Sequence, residues 1–219
     1  MAVTLGIEPK HAILNDINKP LINFYKEVQK GLKITIPFLN DKTTYYEIRK
    51  QFNVCMNMNK YTSMTAQWFY YLNKGGFNGL CRFNKKGEFN VPFGSYKTIS
   101  HVRDLTDYTN LFLQYQFMNV DFEDMPILTK AFVYADPPYD ECFSAYSGQS
   151  FTWEDQERLA HWLAKHDCPV VASNKATERI INLYNSLGFT LEKIERPSSI
   201  AANKEKRKKE DDILITKNF

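Results

Sequence analysis

Apolar positions follow two different rhythms along this chain. Between Lys19 and Lys30, Leu21, Ile22, Tyr25 and Val28 recur at three- and four-residue spacing. That spacing predicts a helix with one apolar face, and Gly31 stands where such a helix stops. Residues 41–58, 61–73 and 100–110 predict three further helices. Short apolar runs predict strands at 10–15 (a buried strand with Asp16 at its carboxyl end), 131–135 (also buried), 169–173, 189–195 and 212–217. Two helices fall among the later strands. One spans 152–166, with Thr152 and Asp155 at capping-box spacing and Leu159, Trp162 and Leu163 on one face; the other spans 176–187 and ends before Gly188. Strands alternating with helices predict an α/β sheet covered by helices on both faces.

The middle of the chain breaks that alternation. Residues 41–73 are rich in Tyr, Phe, Asn and Met, and the segment Asn73–Lys97 holds five glycines. Within it, LCRFN and EFNVPF flank Lys85-Lys86-Gly87, which predicts a β-hairpin. The hairpin shows no clean alternation that would bury one face. Residues 37–118 therefore read as an insertion, leaving 1–36 and 119–219 as the sheet-forming part.

Composition narrows the function. Of 219 residues, 43% are hydrophobic and 24% charged, which excludes a disordered, collagen-like or membrane-bundle chain. Sixteen Phe and thirteen Tyr supply rings for a core and for stacking on flat ligands such as bases. A net charge of +3 permits nucleic acid as a partner without requiring it. Cys55, Cys81, Cys142 and Cys168 form no C-x-x-C pair and read as reduced thiols. The histidines form no metal-binding motif, so no metal is expected, and His161 and His166 read as surface residues of a charged helix. No apolar run approaches a membrane span of about 20 residues, and the first ten residues lack the marks of a signal peptide, which implies a cytoplasmic protein.

The sharpest chemical signal is Asp136-Pro137-Pro138-Tyr139, directly after the strand of residues 131–135. Open α/β sheets bind ligands outside the carboxyl ends of their strands. Two prolines stiffen the turn and remove backbone donors. They leave carbonyl acceptors, a carboxylate and an aromatic ring close together. An exocyclic amine on a heteroaromatic base is a poor nucleophile, because its lone pair is delocalised into the ring. Two acceptors, the Asp136 carboxylate and the Pro137 carbonyl, could hold its N–H bonds and free that lone pair, while Tyr139 stacks on the base. The electrophile would be a sulfonium methyl, and positioning would supply most of the rate. A chance [Asp/Asn/Ser]-Pro-Pro-aromatic match occurs on the order of once in 100 chains of this length. The bland alternative is a rigid turn with one capping Asp.

These residues resemble those of the Dam-type DNA adenine-N6 methyltransferases, and the likeness runs nearly end to end. AILNDIN resembles the family's acidic ribose-binding motif, FVYADPPY its catalytic motif, and VVASN the strand motif that follows. The resemblance implies a Rossmann-like methyltransferase sheet with an inserted, mainly helical target-recognition domain that carries a β-hairpin. It implies S-adenosylmethionine as methyl donor, contacted by Asp16 with neighbouring Ile17 and by Asp136. Asp136, Pro137, Pro138 and Tyr139 would be catalytic. Ser173 and Asn174 would shape the pocket. The segment FNGLCRFNKKGEFNVPFGSYK resembles the hairpin that recognises GATC in double-stranded DNA. By that likeness Arg82 reads a guanine, Phe77 wedges into the duplex, Asn78 contacts nearby, and Leu80 reads a base edge. Ser198–Asp212 carries five Lys or Arg between 204 and 209 and resembles a phosphate-contacting loop, in which Arg196, Ile200 and Asn203 fit and Lys204 replaces a glycine. Asp140–Ser150 reads as a mobile loop that could act as a lid.

The chain also departs from that family. A Trp- and Lys-containing cofactor motif is missing. So is a glycine-rich strand-to-helix turn, the kind that lets backbone approach a cofactor closely; MAVTLG aligns with its end. A misassigned start, a truncated remnant, or one part of a split enzyme that needs a partner would each account for this. The expectation is weak or no binding of S-adenosylmethionine. Two alternatives stay beside an active enzyme: an inactive DNA-binding remnant, and a methyltransferase for another amine, in RNA adenine or protein glutamine.

Overall fold

In the computed structural model the described residues are 1–140, 151–196 and 210–219. They fall into two compact units, one ending at Phe122 and the other beginning at Glu123.

The first unit is mainly helical. It contains α1 (Ala2–Ile7), β1 (Ala12–Asn15), α2 (Lys19–Gln29), α3 (Lys42–Asn57), α4 (Ser63–Gly75), α5 (Thr106–Phe112) and β2 (Tyr115–Met118). The helices start where side chains satisfy their free N–H groups. Asn18 accepts from Leu21 N at 3.2 Å, Asp41 from Thr44 N at 2.7 Å, and Thr62 and Thr65 form a reciprocal capping box. Each such cap contributes about 1 kcal/mol. α2 buries Ile22 and Val28 as its spacing requires and stops before Gly31 at φ 87°. α4 is buried on most of its surface, including Ala66, Gln67, Phe69, Tyr71, Leu72 and Gly75, so it runs through the unit's interior. One core gathers Tyr45, Phe52, Phe69, Tyr71, Leu72, Phe83, Phe89, Val91 and Ile99. Another gathers Ile22, Val28, Ala66, Phe112, Tyr115 and Phe117.

Several expectations shift here. β1 is half-exposed rather than buried, with Ile13 38% accessible, and it pairs in parallel with β2. The helix expected at 100–110 begins at Thr106, whose amide is held by Asp104 at 3.0 Å. α1 and β2 have no counterpart in the sequence reading. The hairpin is present as two isolated antiparallel bridges, Gly76↔Phe93 and Phe83↔Phe89, not as regular strands. It does bury one face. Phe83, Phe89 and Val91 are each under 5% exposed, so the absence of clean alternation misled. The reason lies in α3. Tyr45 and Arg49 both donate to the Val91 carbonyl, and Asn53 pairs with both backbone groups of Phe89. Those three residues sit four apart on one helix face. Helix side chains thus replace part of the strand ladder.

The second unit is a four-stranded sheet with order β3-β4-β6-β5, built from β3 (Val133–Ala135), β4 (Val170–Lys175), β5 (Thr190–Arg196) and β6 (Glu210–Lys217). β3 and β4 are parallel; β6 runs antiparallel to both β4 and β5. The helices are α6 (Trp153–Ala164), which starts in the expected Thr152/Asp155 capping box, and α7 (Glu178–Ser186), capped by Thr177. Leu159, Leu163, Val170, Ala172, Ile180, Tyr184, Ile213 and Ile215 are buried. β3 is half-buried, not buried, with Tyr134 40% accessible. His166 is also not a surface residue. It is 1% exposed, its ring lies edge-on to Trp162, and its Nδ1 is 3.2 Å from the Trp162 carbonyl. Its position one turn after Trp162 carries it inward at the helix end. His161 is exposed.

Candidate functional site

β3 delivers the chain to Asp136, which is exposed immediately past the strand end. Ser173, on the parallel neighbour β4, donates from Oγ to Asp136 Oδ1 at 3.0 Å. No other donor among the described residues reaches the Asp136 carboxylate. Burial chiefly raises the Tyr139 phenol's pKa, the nearby Ser173 hydroxyl opposes the rise, and the Asp136 and Asp212 carboxylates add to it. Tyr139 is therefore neutral at ordinary pH. The Pro138 carbonyl accepts from Gln156 Nε2 at 2.8 Å, whereas no donor among the described residues meets the Pro137 carbonyl. One carboxylate oxygen and one carbonyl thus remain open beside a neutral aromatic ring. This set can accept both hydrogens of an amine.

Asp140, expected to open the mobile loop, is instead fixed in place. Its side chain is 4% exposed and bonded by Thr177 Oγ1 at 2.6 Å and by Arg179. Residues 141–150, the rest of the expected lid, lie outside the described residues. Asn174 is fully buried and receives the Asp140 amide at 2.9 Å. It thus supports the turn from behind.

In the first unit, Asp16 follows β1. Its Oδ1 accepts from Asn18 N at 2.7 Å, and the Asn119 side chain donates to its carbonyl at 2.8 Å. The helix cap is Asn18, not Asp16, so the carboxylate keeps its second oxygen for another donor. Burial raises the Asp16 pKa, partly offset by the Asn18 amide. A half-buried carboxylate with a spare acceptor suits a pair of hydroxyl donors, so these residues fit a ribose. Ile17 beside it is 53% exposed.

The predicted readers lie in and just after one 3-10 turn. Phe77 is 49% exposed in a 3-10 turn after α4, and Asn78 is left-handed at φ 52°. Gly76 before it has no room for a side chain, since a Cβ would lie 2.7 Å from the Leu72 carbonyl. Leu80 is half-buried. Arg82 is exposed, and Asn90 on the opposite arm accepts from its Nε at 2.8 Å. Nη2 also donates to the Asn90 carbonyl at 3.4 Å, and Nη1 has no acceptor among the described residues. Cys81 lies 3.6 Å from the Asn18 side-chain nitrogen, and burial pushes its thiol up to about 11. The hairpin is thereby tied to the segment carrying Asp16. Cys55, Cys81 and Cys168 are free thiols, and Cys142 lies outside the described residues.

Arg196 is the last residue of β5, and Asn203 lies outside the described residues. Among the described residues, no group of three or more metal-ligating side chains occurs, and no helix is long and apolar enough to cross a membrane. Asn18, Asn53, Asn90, Asp140, Gln156 and Arg179 were not anticipated. Asn18 was the most legible of them, as an Asn preceding a Lys-Pro helix start. The others depend on long-range contacts that no local pattern marks.

Comparison with known proteins agrees with the motifs. The family model of D12 class N6 adenine-specific DNA methyltransferases matches residues 1–200. The retron Ec67 DNA adenine methylase of Escherichia coli is 31% identical over 218 residues, covering 94% of this chain and 76% of that protein. A DNA adenine methylase of Vibrio cholerae is 32% identical over 233 residues, covering 97% and 82%. The DNA adenine methylase of Escherichia coli K12 is 32% identical over 237 residues, covering 97% and 81%. With the Asp136–Tyr139 turn at the strand end and the likeness running through nearly the whole chain, the protein belongs to the D12 class N6 adenine-specific DNA methyltransferase family.

Proposed function

We propose that this protein transfers a methyl group from S-adenosylmethionine to N6 of an adenine extruded from double-stranded DNA at GATC. In this reading residues 1–36 and 119–219 form the catalytic part of a Rossmann-like enzyme, and 37–118 form the recognition insertion. The observation that carries it is the Asp136–Tyr139 turn, with an open carboxylate oxygen and an open Pro137 carbonyl. Those two acceptors hold the two N6 hydrogens and draw the nitrogen lone pair out of conjugation. Tyr139 stacks on the ring and, being neutral, adds no repulsive charge. Ser173 fixes the Asp136 rotamer, so little reorganisation is needed as positive charge develops on N6. Asp16, with Ile17 alongside, holds the ribose hydroxyls, and Asp136 also faces the methionine part. The cofactor supplies the electrophilic methyl. Phe77 fills the gap left by the extruded base, Arg82 reads guanine, and Asn78 and Leu80 flank it. Arg196 and Asn203 approach phosphates.

The test is transfer of labelled methyl to a duplex with one GATC site, beside GTTC and premethylated duplexes and Asp136→Ala. Methylation confined to the wild type and the unmodified GATC duplex supports the reading. Transfer by Asp136→Ala at the wild-type rate would overturn the catalytic assignment. Equal transfer to GTTC would overturn the site assignment.

A second reading has an observation of its own. The described turns leaving β1, β2 and β4 contain no glycine, so none offers close backbone approach to a cofactor. A protein that binds GATC yet transfers nothing would fit that feature.

A further inference from the structure

Behind the catalytic turn lies a buried polar network that the transfer chemistry does not itself use. Gln156, in the first turn of α6, donates to the Pro138 carbonyl at 2.8 Å. Its Oε1 accepts from Asn174 Nδ2 at 3.0 Å, and Asn174 Oδ1 accepts the Asp140 amide at 2.9 Å. The Asp140 carboxylate receives Thr177 Oγ1 at 2.6 Å, Arg179 Nε at 2.7 Å and Arg179 Nη2. The Arg179 guanidinium lies 4.6 Å over the Trp153 ring. Gln156, Asn174 and Asp140 are each at most 4% exposed.

We infer that Asp140 and Arg179, acting with Gln156 and Asn174, are a lock that aims the Pro137 carbonyl at the substrate amine; this rests on the reading of the Asp136–Tyr139 turn as the transfer site. The Pro137 and Pro138 carbonyls are separated by two backbone torsions of Pro138. Its ring fixes one of them, φ. Pinning the Pro138 carbonyl and the Asp140 amide fixes the rest, so the Pro137 carbonyl has one direction. A turn with two prolines has few N–H groups with which to hold itself. The support therefore comes from side chains at the starts of α6 and α7. Arginine suits the Asp140 position because its planar fork meets a carboxylate with two parallel bonds, which lysine cannot do. These are positioning residues, and none of them touches the substrate.

The test uses the full chain with Arg179→Met, Arg179→Lys and Gln156→Leu. Hydrogen exchange is followed at the Asp140 amide, with β4 amides as internal reference. Arg179→Met and Gln156→Leu should speed exchange at the turn by about tenfold or more while β4 stays protected. Single-turnover methyl transfer to the GATC duplex should fall by between about 10- and 100-fold, the effect expected of reacting groups misplaced by roughly 1 Å. Duplex Kd should not change, and Arg179→Lys should recover part of the loss. Unchanged exchange at the turn would overturn the lock. Loosened exchange with an unchanged single-turnover rate would overturn its role in aiming the carbonyl, as would equal loss of protection throughout β4. A wild type that transfers no methyl would overturn the transfer reading instead, and the exchange comparison would still decide the lock.

Discussion

Replacing Asn53 by Ala should loosen the hairpin of residues 76–93 against α3. Asn53 donates to the Phe89 carbonyl at 3.1 Å and accepts from the Phe89 amide at 2.8 Å. Phe89 is 1% exposed, so its freed amide and carbonyl would gain little water. Each lost hydrogen bond is worth about 0.5–1.5 kcal/mol, and a buried group left unpaired costs about 1–3 kcal/mol. Tyr45 and Arg49 still hold the Val91 carbonyl, at 3.1 and 2.9 Å, so the hairpin remains attached at one point. The net local cost is therefore about 2–3 kcal/mol, from two bonds with partial access of water to the vacated site. At about 1.4 kcal/mol per tenfold, amide exchange at Phe89 should accelerate by roughly 30- to 140-fold. Asn53→Asp sharpens the test. It keeps an acceptor for the amide but sets a carboxylate against the Phe89 carbonyl, so it should be no milder than Ala. The assay is hydrogen exchange of residues 83–93, paired with binding to GATC and GTTC duplexes. Arg82 sits on the hairpin arm opposite Asn90, so its aim depends on that backbone. GATC selectivity should fall with the loss of protection. Wild-type exchange at Phe89 in Asn53→Ala would refute the claim that α3 stands in for a strand.

Arg82→Ala should cost about 1–3 kcal/mol of discrimination at one base position, measured as the ratio of GATC to single-mismatch affinities. Asn90→Ala should lower the same ratio by less, because it frees Arg82 without removing it. Asp16→Asn should stabilise the fold at neutral pH. Burial raises the Asp16 pKa, so the folded state binds the proton more tightly than the unfolded chain. Stability from this group is thus full below its ordinary pKa and declines as pH rises through the raised value; thermal melts of wild type and Asp16→Asn should converge in acid and diverge toward neutrality. The same substitution should weaken S-adenosylmethionine binding by about 1.5–3 kcal/mol in a calorimetric titration. Wild-type titration should itself show weak binding, given the glycine-free turns after β1, β2 and β4, and full-affinity binding would overturn that.

Legibility in this chain followed locality. Helices whose limits are written in caps or stops, such as α2 ending before Gly31 or α6 after Thr152, stood out because one side chain or one backbone conformation decides them. The Asp136–Tyr139 turn stood out for the same reason. Its chemistry is held in four consecutive residues. β2 was missed because Tyr115, Gln116, Phe117 and Met118 form too short a run to signal a strand without the partner β1 that pairs with it. His166 was misplaced because a charged helix flank outweighed one position near its end.

The hairpin shows why a strong local pattern can still mislead about packing. Its proposed readers, Phe77, Asn78, Leu80 and Arg82, come from a contiguous motif, whereas its buried face was not legible. Strand alternation marks a surface that a neighbouring strand or sheet will cover. Here the cover is a helix, and helix side chains reach the hairpin backbone at Phe89 and Val91 instead of forming a ladder. A backbone held this way need not keep strict period-two geometry, so Asn84, Lys86 and Gly87 can fold into a tight turn while Phe83 and Phe89 still face inward. The same logic governs the Asp136–Tyr139 turn. Two prolines remove its own donors, so Gln156, Asn174 and Arg179 hold it from elsewhere in the second unit. In both places the residues proposed to meet the substrate are adjacent in sequence. The residues that aim them are distant, and only the fold brings them together.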